Sequence, residues 1–173
     1  LTSDAMKLVL EDFMAAVKAK GKLVSIVINN EYIKICEITK TGKNVIVHKT
    51  VTIPTPEGCY EDGILENIPN LASAIKAVMD EHRFASKDVA FSVSSPRLAT
   101  KEVLIPNVKG DKVGKIVQAN ATEYFPVNMD EYIIQHTILE KVEDSGQDKL
   151  KLMVAAVPSE VAESYYNLAK TMG

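Results

Sequence analysis

The chain has 173 residues, of which 46% are apolar and 25% charged, with a formal net charge of -3. That length suffices for one domain or two small subdomains with a real core, and the weakly acidic balance leaves no electrostatic footprint for nucleic acid. Cys36 and Cys59, without CxxC spacing or a nearby histidine pair, exclude a disulfide framework and a zinc site and point to reduced thiols in a cytosolic protein.

No apolar run reaches the roughly 18 residues of a membrane span, and the N-terminus lacks a basic-then-apolar secretory signal. Ser3 caps a first predicted helix in which Met6, Leu10, Phe13 and Val17 recur at helical spacing, ending near Gly21. Its single apolar stripe needs a partner. Asp4, Glu11 and Asp12, set against Lys18, Lys20 and Lys22, favour packing on protein over an anionic membrane surface.

Three strands follow, Leu23 to Ile28, Tyr32 to Thr39 and Asn44 to Ile53, separated by the turn-forming clusters Asn29-Asn30-Glu31 and Lys40-Thr41-Gly42-Lys43. They read as an antiparallel meander. Pro54, Pro56 and Gly58 break the pattern, and Asn67 with Pro69 starts a helix whose inward face is Leu71, Ile75, Val78 and His82. Val89 to Val93 is the next strand; it can lie beside the first only if the helix crosses one face of the sheet.

A second unit begins after the turn Ser94-Ser95-Pro96, with a strand from Thr100 to Ile105 ended by Pro106. Val113, Ile116 or Val117, and Tyr124 form one helical stripe. Tyr132 to Leu139 and Leu150 to Val157 are strands joined by the polar loop Glu143 to Asp148, with Ile134, His136 and Ile138 sharing one face. Pro158 and Ser159 open a last helix with Val161, Tyr165, Leu168 and Met172 inward.

Catalytic constellations are weak. His48, His82 and His136 sit on separate predicted elements, so a metal site is not expected. Ser94-Ser95 follows a strand but lacks the glycines of a nucleophile elbow and is followed by Pro96, which makes it a turn. Glu61-Asp62 and Asp130-Glu131 are solvated loop carboxylates, and Lys109, Lys112 and Lys115 are one side of a helix. The turn Asn29-Asn30-Glu31 stands where a phosphate cradle would form, yet it has no glycine and carries a negative side chain.

Several segments, in this order and spacing, resemble the type IV pilus assembly protein PilM family, a relative of FtsA in the actin-like ATPase superfamily. They are Glu61-Asp62-Gly63-Ile64-Leu65-Glu66, Val89 to Pro96, Thr100 to Pro106, and Ala119 to Val127 with its Tyr124-Phe125-Pro126 stop, followed by Met129 to Leu139 and Val154 to Leu168. The implied fold is a mixed α/β, actin-like (ribonuclease H-like) subdomain, residues 23–95 plus 158–173, as the N-terminal half of such a protein. An FtsA-type small α/β subdomain is inserted at residues 96–157, and residues 1–22 form the leading helix.

The resemblance also carries expectations about function. The family's Gly-Ile-Asp-x-Gly-Ser phosphate motif falls on Ser25 to Lys34, so Asn29, Asn30 and Lys34 are the degenerate nucleotide-binding positions; the lysine is kept, while both glycines and the acidic metal-coordinating position are replaced. No catalytic residue and no cofactor is expected in this chain, and ATP with magnesium is left to a full-length form. Family members are cytoplasmic, at the inner face of the membrane. They bind the cytoplasmic tail of an inner-membrane partner, PilN, in a groove between the main subdomain and the inserted one, and by position the resemblance implies candidate peptide-binding residues at Val103, Leu104, Pro106, Ile116, Tyr124 and Phe125. A homo-oligomer is a further expectation, and an active actin-like ATPase or a type II secretion scaffold is the alternative reading.

Overall fold

The structure, a computed structural model, describes residues 21–41 and 44–173. The helix expected at the N-terminus falls outside these residues up to Lys20, and Gly21 and Lys22, expected in its closing turn, already belong to the first strand. The chain divides into two compact units: one comprises the residues through Ser94 together with Glu163–Gly173, the other Ser95–Ala162.

In the first unit β1 (Gly21–Ile28), β2 (Tyr32–Thr41) and β3 (Asn44–Pro54) form the antiparallel meander. After a small hairpin, β4 (Tyr60–Glu61) with β5 (Ile64–Leu65), and the helix α1 (Ile68–Glu81), the strand β6 (Val89–Ser92) runs parallel to β1. The sheet order is β3-β2-β1-β6. A parallel neighbour needs a crossover, and α1 supplies it.

Alternation explains the core. Val24, Ile26 and Ile28 on β1 and Ile33 and Ile35 on β2 are buried, and each such side chain contributes roughly 1.5–3 kcal/mol on leaving water. Leu71, Ala72 and Ile75 of α1 are buried as well, and Phe91 of β6 meets Tyr165 edge-on, ring centroids 5.4 Å apart.

Glu37 continues the Ile33, Ile35 row on β2 and is only 2% exposed. Its carboxylate accepts from the Ala85 amide at 2.6 Å, with the Lys22 ammonium 3.9 Å away. Lys49 of β3 donates to the carbonyls of His82 and Arg83 at the end of α1, where a cation also suits the helix dipole. Ser86 donates to Lys22 O at 2.8 Å and accepts from the Asp88 amide, and Val24 N donates to Asp88 O. The connection from α1 to β6 is thereby stitched to the three meander strands. His82, expected on the apolar face of α1, is instead the exposed residue that caps the helix's C-terminal end, and its carbonyl accepts from Lys49.

The second unit is a three-stranded antiparallel sheet of order β7-β9-β8, made of β7 (Ala99–Pro106), β8 (Tyr132–Asp144) and β9 (Gln147–Pro158). Between β7 and β8 run α2 (Lys112–Ala119), the short α3 (Ala121–Tyr124) and a 3-10 turn at Met129–Glu131. The last helix, α4 (Ser159–Met172), starts in this unit and continues into the first. Val103, Ile105, Val113, Val117, Ala121, Phe125, Ile134, Leu150, Leu152, Val154 and Ala156 make its core.

Three local expectations change. The single helical stripe is divided at Asn120, whose side-chain amide donates to Ile116 O at 3.0 Å. Of the two alternatives at the middle of that stripe, Val117 is the fully buried one. The polar loop Glu143 to Asp148 is a tight hairpin: pairing continues to Asp144 opposite Gln147, and Ser145 and Gly146 both take positive φ, as a type I′ turn requires. Ile138 is exposed although it pairs with Leu152 in the same register as Ile134 and His136, and the register shifts just after it.

The Ala85 amide and the charges of Lys22 and Lys49 hold the Glu37 carboxyl below its ordinary value, in spite of burial pushing the other way. The folded-state value therefore lies beneath the unfolded one, so this contribution to stability is present above the usual carboxylate range and is lost as pH falls through the folded value. Glu37→Gln is expected to cost about 1.5–3 kcal/mol at neutral pH and to flatten the acid limb, as read by urea denaturation from pH 7 downward. Gly114→Ala is expected to stabilise by about 0.5–1 kcal/mol in the same assay, since it sits inside α2 and an added Cβ would meet His136 Cε1 at an ordinary 3.6 Å.

Candidate functional site

The bend between β1 and β2 is where the degenerate phosphate positions fall. Asn29 Oδ1 accepts from the amides of Glu31 at 2.9 Å and Tyr32 at 2.8 Å, while Asn29 N donates to Tyr32 O at 3.1 Å. An asparagine closing on the amides that follow it is an Asx turn. Thr55 completes the closure: its hydroxyl donates to Asn29 O at 2.7 Å and its amide to Glu31 O.

The consequence is chemical. A phosphate cradle works by presenting free amide hydrogens to oxyanions, whereas here the amides of Asn29, Glu31 and Tyr32 already have acceptors within the turn. Asn30 is exposed beside the Glu31 carboxylate, and Lys34 is exposed two pairs into the strand, opposite Val27 and Thr52. Sequence inspection found the missing glycines; it did not reveal that Thr55 helps to close the bend.

The six peptide-binding candidates all lie in the second unit, but they do not form one surface. Val103 and Phe125 belong to its buried core, and Ile116 and Tyr124 are partly buried against that core. Val103 and Phe125 are thus largely withdrawn into the core, although Val103 also lines the depression beside Leu104. Leu104, 49% exposed, and Pro106 lie on the opposite side of β7. They belong to an edge strand, since among the described residues β7 pairs only with β9.

Beside Leu104 is an open depression of about 460 Å³ whose lining includes Glu102, Leu104, Glu140, Val142, Glu143 and Asp144. Lys151 lies among these carboxylates, 2.9 Å from Glu102 and 3.7 Å from Glu140, which raises its ammonium above the ordinary value. Lys149 pairs with Asp144 and lowers that carboxyl. An exposed leucine, a free strand edge and a carboxylate rim suit an extended chain better than a small molecule. His136, on β8, is held below its ordinary value by burial, while His48 bonds Thr39 Oγ1 through Nε2 at 2.7 Å and His82 ends α1. Among the described residues no helix is long and apolar enough to cross a membrane.

A four-stranded mixed sheet with a crossover helix, joined to a separate α/β unit, defines a mixed α/β protein. The chain belongs to the type IV pilus assembly protein PilM family, whose sequence model matches residues 25–173. It is similar to a chain of the PilM-PilN type IV pilus biogenesis complex, at 20% identity and a TM-score of 0.74, over 90% of this chain and 46% of that one. It is also similar to the cytoplasmic domain of EpsL, an inner-membrane component of the type II secretion system of Vibrio cholerae, at 8% identity and a TM-score of 0.51, over 88% of this chain and 54% of that one. The chain thus spans about half the length of these structures. No curated protein matches the sequence.

Asn29→Ala removes the acceptor for two turn amides and is expected to cost about 0.5–1.5 kcal/mol in urea denaturation, without creating a response to magnesium-ATP.

Proposed function

We propose that this chain is part of a non-enzymatic scaffold of pilus assembly, cytoplasmic and held at the inner face of the membrane by gripping the cytoplasmic tail of a PilN-like protein. Family membership and the likeness to a chain of the PilM-PilN complex support the pilus role. The observation that carries the non-enzymatic reading is the closed Asx turn at Asn29, whose amides are spoken for within the bend. An active actin-like ATPase would have to open that turn and replace those hydrogen bonds. A type II secretion scaffold shares the fold, and the family match favours the pilus system over it.

In this reading the tail lies as an added strand along the free edge of β7. Main-chain hydrogen bonds supply affinity, and Leu104 supplies an apolar contact on β7 itself. Val103, Ile116, Tyr124 and Phe125 hold β7 and its helices in place from the core side.

The test is titration of a synthetic PilN-like tail peptide onto the protein and onto a version extended to the family's full length. Saturable binding is expected, weakened at least tenfold by Leu104→Asp at unchanged thermal stability. Absence of saturable binding to both would reject the scaffold. Magnesium-ATP is expected to leave the melting temperature unmoved; a ligand at 100 times its Kd stabilises by about 2.7 kcal/mol, so a shift of that size would favour the ATPase.

A further inference from the structure

We propose that the first stretch of β3, Asn44 to His48, is a self-pairing edge that joins the first unit to a second copy of this chain. Val45, Ile46 and Val47 are 55%, 54% and 58% exposed. Among the described residues β3 pairs only with β2, so its other side is a strand edge.

The register explains the exposure. The core row ends where Val24, Glu37 and Lys49 align, and the β2–β3 pairing then shifts at His48. Past that bulge Ile38 opposes Val47, and Thr39 opposes Ile46. Val47 therefore falls on the outer face, in line with Ile38 and Leu23, while Ile46 falls on the opposite face with Thr39, one step beyond the core. Both faces of the strand are open there, and three large apolar residues stand along its edge.

Charge, or rather its absence from the sequence, selects the occupant. Edge strands are ordinarily guarded by lysines or carboxylates. No lysine, arginine or carboxylate occurs from Asn44 to His48, and the next residue, Lys49, donates instead to the carbonyls of His82 and Arg83. Two identical strands are normally kept apart wherever like charges would meet. An antiparallel pair centred on Ile46 brings none together: Val45 lies opposite the partner's Val47, Asn44 opposite the partner's His48, and Ile46 opposite the partner's Ile46. The symmetric run Val45-Ile46-Val47 is thus complementary to itself, as a two-fold contact requires. With the axis perpendicular to the sheet every residue keeps its face. The outer row of Leu23, Ile38 and Val47 continues into the partner's Val45, the two isoleucines meet on the other face, and the open main-chain groups of both edges are paired.

In the full chain, Cys36→Ser leaves the buried Cys59 as the remaining cysteine. Adding Ile46→Cys is expected to give a disulfide between two copies under mild oxidation, since facing Cα atoms of an antiparallel pair are about 4.5–5.5 Å apart, within reach of that bond. Thr52→Cys, farther along β3 from the axis, is expected to give none, and equal cross-linking at both positions would overturn the proposal. Sedimentation equilibrium is expected to show a reversible monomer–dimer equilibrium, weakened at least tenfold by Val47→Lys at unchanged melting temperature. A monomer at every concentration, or a dimer indifferent to Val47→Lys, would overturn it. So would slow amide hydrogen exchange at residues 44–48 in the monomer, which would give the edge to another part of the same chain.

Discussion

One buried carboxylate organises the first unit. Glu37 sits on the core row of β2, where an apolar side chain would ordinarily be, and desolvating it is costly unless its oxygens are satisfied. The Ala85 amide and the neighbouring ammonium groups satisfy it. Because Ala85 lies in the connection from α1 to β6, the same bond that compensates the charge also fixes where the returning chain must run. Lys49 and Ser86 act on the adjoining residues, so β6 enters the sheet beside β1 in a register held at both ends of the connection. The crossover is therefore directed by polar bonds, while the apolar core supplies most of the driving force.

The β1–β2 bend illustrates how one set of amides serves a single purpose. In a phosphate-binding turn the amide hydrogens are held free by glycine backbone geometry; here asparagine and threonine side chains close the bend on itself. The resulting turn is well bonded and chemically quiet. The second unit presents a feature of another kind, an edge strand bearing the exposed Leu104.

Leu104 and the Val45–Val47 run are two apolar exposures that differ in kind. Leu104 stands as a single residue among charges on β7, which suits a reversible contact whose specificity comes from its surroundings. Val45, Ile46 and Val47 are contiguous and uncharged, at the start of β3.

Much of the architecture was legible in residue patterns. Alternating β-branched residues at Val24, Ile26, Ile28, Ile33 and Ile35 marked the meander and its buried face, Pro69 and Pro106 marked element boundaries, and family resemblance named the fold. Sequence alone also showed that the nucleotide positions lacked their glycines. Tertiary structure decided what depends on partners distant in the chain. It brought Glu37 to Ala85, Thr55 to Asn29 and Lys49 to the end of α1. It also sorted the candidate contact residues between core and surface, burying Val103 and exposing Leu104. The physical reason is range: periodicity and turn chemistry are local and are written in neighbouring residues, whereas a buried charge's partner, or the side of a sheet that stays open, exists only once the strands have paired.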